Sequence, residues 1–212
     1  MKKNIILIVL LIISISIIGC TKNQKKDTKN STTSEVSHGE NKLNTEKLIK
    51  SLKKINSKYP EDKYIEVDGF EISQRKIEIG MLYGRTRKEA IQWILKPIKR
   101  AEAIKKITSD FDNFIPSAKK VNEYKESIIP SSSQLSKENL EIHLLITGDS
   151  SYDEYLNSEK TFKSVELLLI EKNILDELKK KEMDSNISDL EATKNARERL
   201  DELIDKEINN LN

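Results

Sequence analysis

The chain opens on an apolar block, crosses a polar stretch and then settles into a long amphipathic pattern. The block follows Lys2 and Lys3, runs unbroken from Ile5 to Ile13, and continues through Ser14 and Ser16 to Gly19 and Cys20. From Thr21 to Asn44 the apolar side chains are just Val36 and Leu43. Beyond residue 45, Ile and Leu recur at intervals of three and four, the signature of helices with one buried face.

The spacing predicts a first helix opening near Asn44 or Thr45, with Leu48, Ile49, Leu52 and Ile55 on one side and Pro60 closing it. Glu61 to Gly69 reads as a loop. The alternation over residues 63–67 permits a short strand, but with no obvious partner a loop or helix is preferred. A second helical pattern runs from Ile72 through Ile77, Met81 and Leu82 to Gly84. Thr86 and Glu89 fit a capping box. The helix they open carries Ile91, Ile94, Leu95, Ile98, Ala101, Ile104 and Ile107, with Pro97 expected to kink it without ending it. Trp93 is expected in the core or at its edge.

Ser117 to Ile129 forms a shorter amphipathic stretch, closed by Pro130. Ser136 caps the next helix, which passes Leu140, Leu144 and Leu145 and stops at Gly148; His143 is expected at its surface or boundary. Ser151 and Glu154 fit a second capping box, opening a helix that runs to Met183 with or without a break near Asn157. Its Val165–Ile170 section is apolar nearly all round, which marks a helix covered on several sides. Ser188 and Glu191 fit a third box, followed by Leu190, Ala196, Leu200, Leu203, Ile204, Ile208 and Leu211. The pattern therefore predicts one all-α domain over residues 45–212, a bundle of about five to seven helices with no repeat of fixed period.

The opening block has its own meaning. A charged start, an apolar run and a small residue before a cleavage point make a secretory signal over residues 1–19. Cys20 directly after Gly19, the only cysteine in the chain, makes it a lipoprotein signal in which the thiol is lipidated and becomes the mature N-terminus. The alternative is an uncleaved membrane anchor, for which the apolar run is marginally long. Against it stand Ser14, Ser16 and Gly19 at the distal end, the lone cysteine, and the polar residues that follow at once. Residues 20–44 bury too little to offset the entropy of ordering them and read as a flexible tether, reaching on the order of 25–30 Å.

Composition narrows the class. Six glycines, four prolines and 5% aromatics disfavour a turn-rich β-sandwich and leave Ile and Leu to build the core. A net charge of +2, with Lys2 and Lys3 lost alongside the signal, argues against a nucleic-acid partner. His38 and His143 are the only histidines, so a zinc site of the usual Cys/His kind is not expected, nor any other metal or cofactor. No nucleophile elbow, phosphate-cradling glycine loop, H-E-x-x-H or EF-hand spacing occurs, and no catalytic residue is assigned; the expectation is a non-enzymatic protein.

Charge is unevenly placed. Eleven basic and six acidic residues lie between Arg85 and Glu126, against three basic and ten acidic between Glu138 and Leu178. Lys96, Lys99, Arg100 and Lys106 are spaced to share one face, a candidate surface for an anionic ligand such as a glycosaminoglycan. The competing reading is that basic and acidic helices pack beside each other and neutralise.

The segment MKKNIILIVLLIISISIIGC, the Lys/Asn/Ser/Thr-rich tether and the Lys/Glu/Ile/Leu-rich helical remainder together resemble the outer-surface lipoproteins of Borrelia-type spirochaetes. Ile17, where many lipoprotein signals prefer Leu, matches the relaxed signals of that group. The resemblance implies a small helical bundle held by lipid outside the outer membrane and engaging a host protein or matrix component. It carries no role onto any residue beyond Cys20. The rival placement is a periplasm-facing structural or envelope-maintenance lipoprotein. Oligomeric state is left open, because such helices bundle equally well within one chain or across two.

Overall fold

A computed structural model describes residues 37–60, 63–109, 114–183 and 187–211, with the backbone alone described over 37–44. Cys20 and the segment before Ser37 lie outside the described residues, and so does the side chain of His38. Among the described residues the chain forms eight α-helices, one 3-10 turn and a two-stranded hairpin. These are α1 (Ser37–Lys58), β1 (Tyr64–Val67), β2 (Phe70–Ser73), α2 (Gln74–Leu82), α3 (Arg87–Ser109), α4 (Ala118–Ile128), the 3-10 turn (Ser132–Gln134), α5 (Lys137–Thr147), α6 (Tyr152–Asn157), α7 (Glu159–Met183) and α8 (Asp189–Asn209). The all-α expectation holds for the architecture as a whole.

The capping residues read from the sequence set several helix starts. Thr86 N–H donates to Glu89 Oε2 (2.8 Å) and Glu89 N–H to Thr86 Oγ1 (3.3 Å), the reciprocal pair of a capping box. The Thr86 backbone bond, followed by its hydroxyl, holds the Glu89 carboxyl below its ordinary pKa. Ser117, Ser136 and Ser188 each accept from the backbone N–H three residues on. Ser151 does the same for Glu154 N–H, yet the Glu154 carboxylate turns back to Ser150, so this box closes one residue early. Gly148 ends α5 in the left-handed conformation at φ 80°, where a side chain would be strained.

Residues 64–73 depart from the expected loop and helix. Tyr64–Val67 pairs antiparallel with Phe70–Ser73 in the register Ile65↔Ile72 and Val67↔Phe70. The two turn residues, Asp68 (φ 51°) and Gly69 (φ 75°), both take positive φ, the conformation whose twist suits a two-residue hairpin. Ile65, Val67, Phe70 and Ile72 face Ala90, Ile94, Leu95 and Ile98 of α3. That packing supplies the stability an isolated two-stranded ribbon lacks. The last residue of β2, Ser73, is also the N-cap of α2, so strand passes into helix without a loop.

Helix α1 also departs from expectation, starting at Ser37, ahead of Asn44 or Thr45. Propagation from its docked portion adds one hydrogen bond per residue, and no proline interrupts it upstream.

The main core joins three helices. Ala103, Ile104 and Ile107 of α3, Leu167, Ile170, Ile174 and Leu178 of α7, and Ala196, Leu200 and Ile204 of α8 form one buried cluster. Helix α7 is the central element: its first half also carries Val165, which meets Val121 of α4 and Tyr152 and Tyr155 of α6. On the far side, Leu52 of α1, Ile79 of α2 and Ile146 of α5 make a smaller cluster. Pro97 sits inside α3, and the helix runs through it; residues up to Ile98 serve the hairpin cluster and residues from Ala101 onward the three-helix core. Among the described residues, no helix is long and apolar enough to cross a membrane.

Candidate functional site

The four cations singled out in the sequence all lie on α3, but they do not form an unpaired face. Arg100 reaches between two neighbouring helices: its guanidinium donates to Glu171 of α7 (2.7 Å) and to Asp201 of α8 (3.1 Å). Burial works against its charge, but those two carboxylates outweigh burial and raise its pKa above the ordinary value. Lys99 bonds Asp68 at the hairpin turn (2.9 Å), pinning the turn to α3. Lys96 and Lys106 remain exposed. The acidic stretch thus covers Arg100 from within, as the neutralising alternative expects, and the surplus of positive charge is spent partly inside the fold. Arg100→Ala should lower stability by about 1–2 kcal/mol, because Glu171 keeps its charge in a half-buried place and loses its partner. A thermal melt checks this, and equal destabilisation in Lys106→Ala would refute it.

Trp93 lies at the core edge as expected, with the Arg85 guanidinium 4.5 Å from its ring centre.

Concave surface occurs elsewhere, along α1 and α5. One cavity of about 640 Å³ lies between these helices and the start of α2, walled by Asn56, Tyr59, Arg75, Leu140, Leu144 and Asp149. A second, of about 490 Å³, continues along the pair past Ile49 and Lys50, and the two share Lys137 and Glu141. Asn56 Nδ2 donates to the Leu145 carbonyl (3.0 Å) and ties the two helices together beneath the first cavity. Lys53 and Glu141 bridge them above (2.6 Å). The Arg75 guanidinium lies against Gly148, where an added Cβ would stand 2.5 Å from it; glycine there serves both the turn and that contact.

Next to this groove is a buried polar cluster that sequence reasoning missed. His143, expected at a surface or boundary, is 8% exposed. Its ring meets Tyr155 edge-on at 4.3 Å between centroids and Tyr152 at 5.4 Å. Tyr152 donates to the Pro130 carbonyl (2.7 Å), fixing α6 to the loop after α4. Burial lowers the His143 pKa, Asp149 pulls it back up, and Lys160 adds to the lowering. The aromatic pair two and five residues into the 151–158 stretch was visible in the sequence, but nothing there showed that it folds over His143.

Among the described residues, no three His, Cys, Asp or Glu side chains gather as metal ligands. The class these observations define is an all-α bundle with a β-hairpin docked on the first half of α3. No protein-family model, curated protein or solved structure matches the chain.

Proposed function

We propose that this is a lipid-anchored, non-enzymatic surface protein that binds a host macromolecule through the groove along α1 and α5. The observation that carries the reading is the groove's form: two adjoining open cavities that share Lys137 and Glu141. An elongated, shallow site suits a polypeptide segment better than a small molecule enclosed on all sides. Its rim alternates Lys50, Lys53 and Lys137 with Glu46, Glu138 and Glu141 over an apolar floor of Ile49 and Leu140. Mixed signs suit a protein partner, whereas a sulfated polysaccharide would need the unpaired basic face that Arg100 and Lys99 do not offer. The anchor rests on Cys20 and the apolar run before it.

Three measurements test this. Lys50→Glu with Lys137→Glu should weaken capture of serum or matrix proteins by the full-length lipoprotein about tenfold or more, through rim repulsion. Undiminished capture would remove the groove from the reading, and no capture by the unaltered protein would remove the binding function. Separately, Cys20→Ala should abolish incorporation of labelled palmitate and move most of the protein out of the detergent phase, since stable attachment needs lipid chains. The periplasm-facing alternative predicts that the protein survives protease added to intact cells; the surface reading predicts that it is cut.

A further inference from the structure

The cluster around His143 combines three features that a purely structural corner does not need. The imidazole is buried in an aromatic cage, and among the described residues its Nε2 has no hydrogen-bond partner, nor does the buried Oδ2 of Asp149, six residues further on. A neutral imidazole bears this at the cost of one unpaired acceptor, which is smaller than the cost of an unpaired buried charge. An imidazolium does not: its Nε2–H needs an acceptor, and burial penalises its charge.

We propose that His143 is an acid-sensitive latch whose protonation releases α6 from α5. The charged groups bearing on it come from each neighbouring element. Asp149 lies in the turn after α5, and Lys160 of α7 reaches the Thr147 carbonyl (3.5 Å). The phenols of Tyr152 and Tyr155 come from α6, and burial raises both their pKa values, so they stay neutral throughout the acid range. On the opposite side of α5, Glu141 is already paired with Lys53. The Arg75 guanidinium of α2 lies against Gly148 on the other side of the turn, and Asp149 is the carboxylate that attracts the new charge. Turning its oxygen to the imidazolium moves the 148–151 segment, and with it Ser151, the N-cap of α6. The two arrangements are a caged neutral ring with α6 docked, and an Asp149-paired imidazolium with α6 displaced.

The sign follows from burial, which lowers the His143 pKa in the folded state. The docked form binds the proton less tightly than the open form, so docking is intact above about pH 6.5 and weakens as pH falls below it. One proton makes the loss at most about tenfold per pH unit.

The test is amide hydrogen exchange on the whole protein at pH 7.5 and pH 5.0, corrected for intrinsic rates. Tyr155 and Ser158 amides, both bonded within the α6 corner, should lose protection at the lower pH, by at most about tenfold per pH unit below about 6.5, while those of the α8 core hold theirs. In His143→Phe, which keeps a ring in the cage and removes the titration, the two values should agree. An equal loss in that variant, or none in the unaltered protein, would overturn the proposal. Should the variant fail to fold, the ring carbons of labelled His143 decide in the unaltered protein. Their titration must coincide with loss of the Tyr155 ring contact; titration with that contact intact would sink the idea.

Discussion

Replacing Gly80 with valine should separate α2 from α3 and cost about 3 kcal/mol or more. Gly80 is buried on α2, and a Cβ built there stands 2.8 Å from the Ala90 Cβ and 3.4 Å from its Cα. Real Cβ atoms do not approach so closely, and both positions lie on helix backbones that cannot move independently. The neighbouring Trp93 ring, 3.5 Å away, blocks escape sideways. The helices must then part, exposing Ile77 and Ile94, which are at most 1% exposed. At about 2–4 °C per kcal/mol for a domain of this size, the melting temperature should fall by roughly 6–12 °C. Gly80→Ala should fall in the same direction by less, and Ala90→Gly should recover part of that loss, because the contact is between these two positions. Equal stability of Gly80→Val and the unaltered chain would show that the helices do not cross here.

Ile104→Ala should cost about 3–4 kcal/mol for the opposite reason, an emptied space. Ile104 is 1% exposed where α3 meets α7 and α8, among Ile174, Leu178, Leu200 and Ile204. Branched neighbours on two separate helices cannot all close in on the void, so the cavity term adds to the lost transfer energy. Chemical denaturation should show a lower midpoint with an unchanged slope, since the same surface is exposed on unfolding. Ile115→Ala is the control: that side chain is 73% exposed and should be silent.

The helical framework was legible because caps and periodicity agree. Ser117, Ser136, Ser188 and Gly148 stand where their helices begin or end, and Val165–Ile170 does lie where helices meet from several sides. The hairpin was misread for a physical reason. Ile77 and Met81 keep a helical spacing just after Ser73, and carrying that pattern back to Ile72 hid Phe70–Ser73 as the partner of Tyr64–Val67. The Asp68–Gly69 pair between two alternating runs was the available signal.

The candidate site was less legible. A face on one helix can be predicted from its own spacing, but its partners cannot: Arg100 pairs with residues 71 and 101 positions away. His143 posed the same difficulty, since its burial depends on α6 folding back across it. The groove on α1 and α5 had no sequence signal, because its walls come from residues 89 positions apart, as at Asn56 and Leu145.

Helix α8 carries a consequence for the order in which the chain can acquire its shape. Ala196, Leu200 and Ile204 complete the central cluster, and they come from the last helix in the described chain. Until those residues are available, the apolar faces of α3 and α7 have no lid, and Arg100 has only one of its two carboxylates. The faces of α3 and α7 therefore close, and Arg100 gains its second carboxylate, only once α8 has emerged.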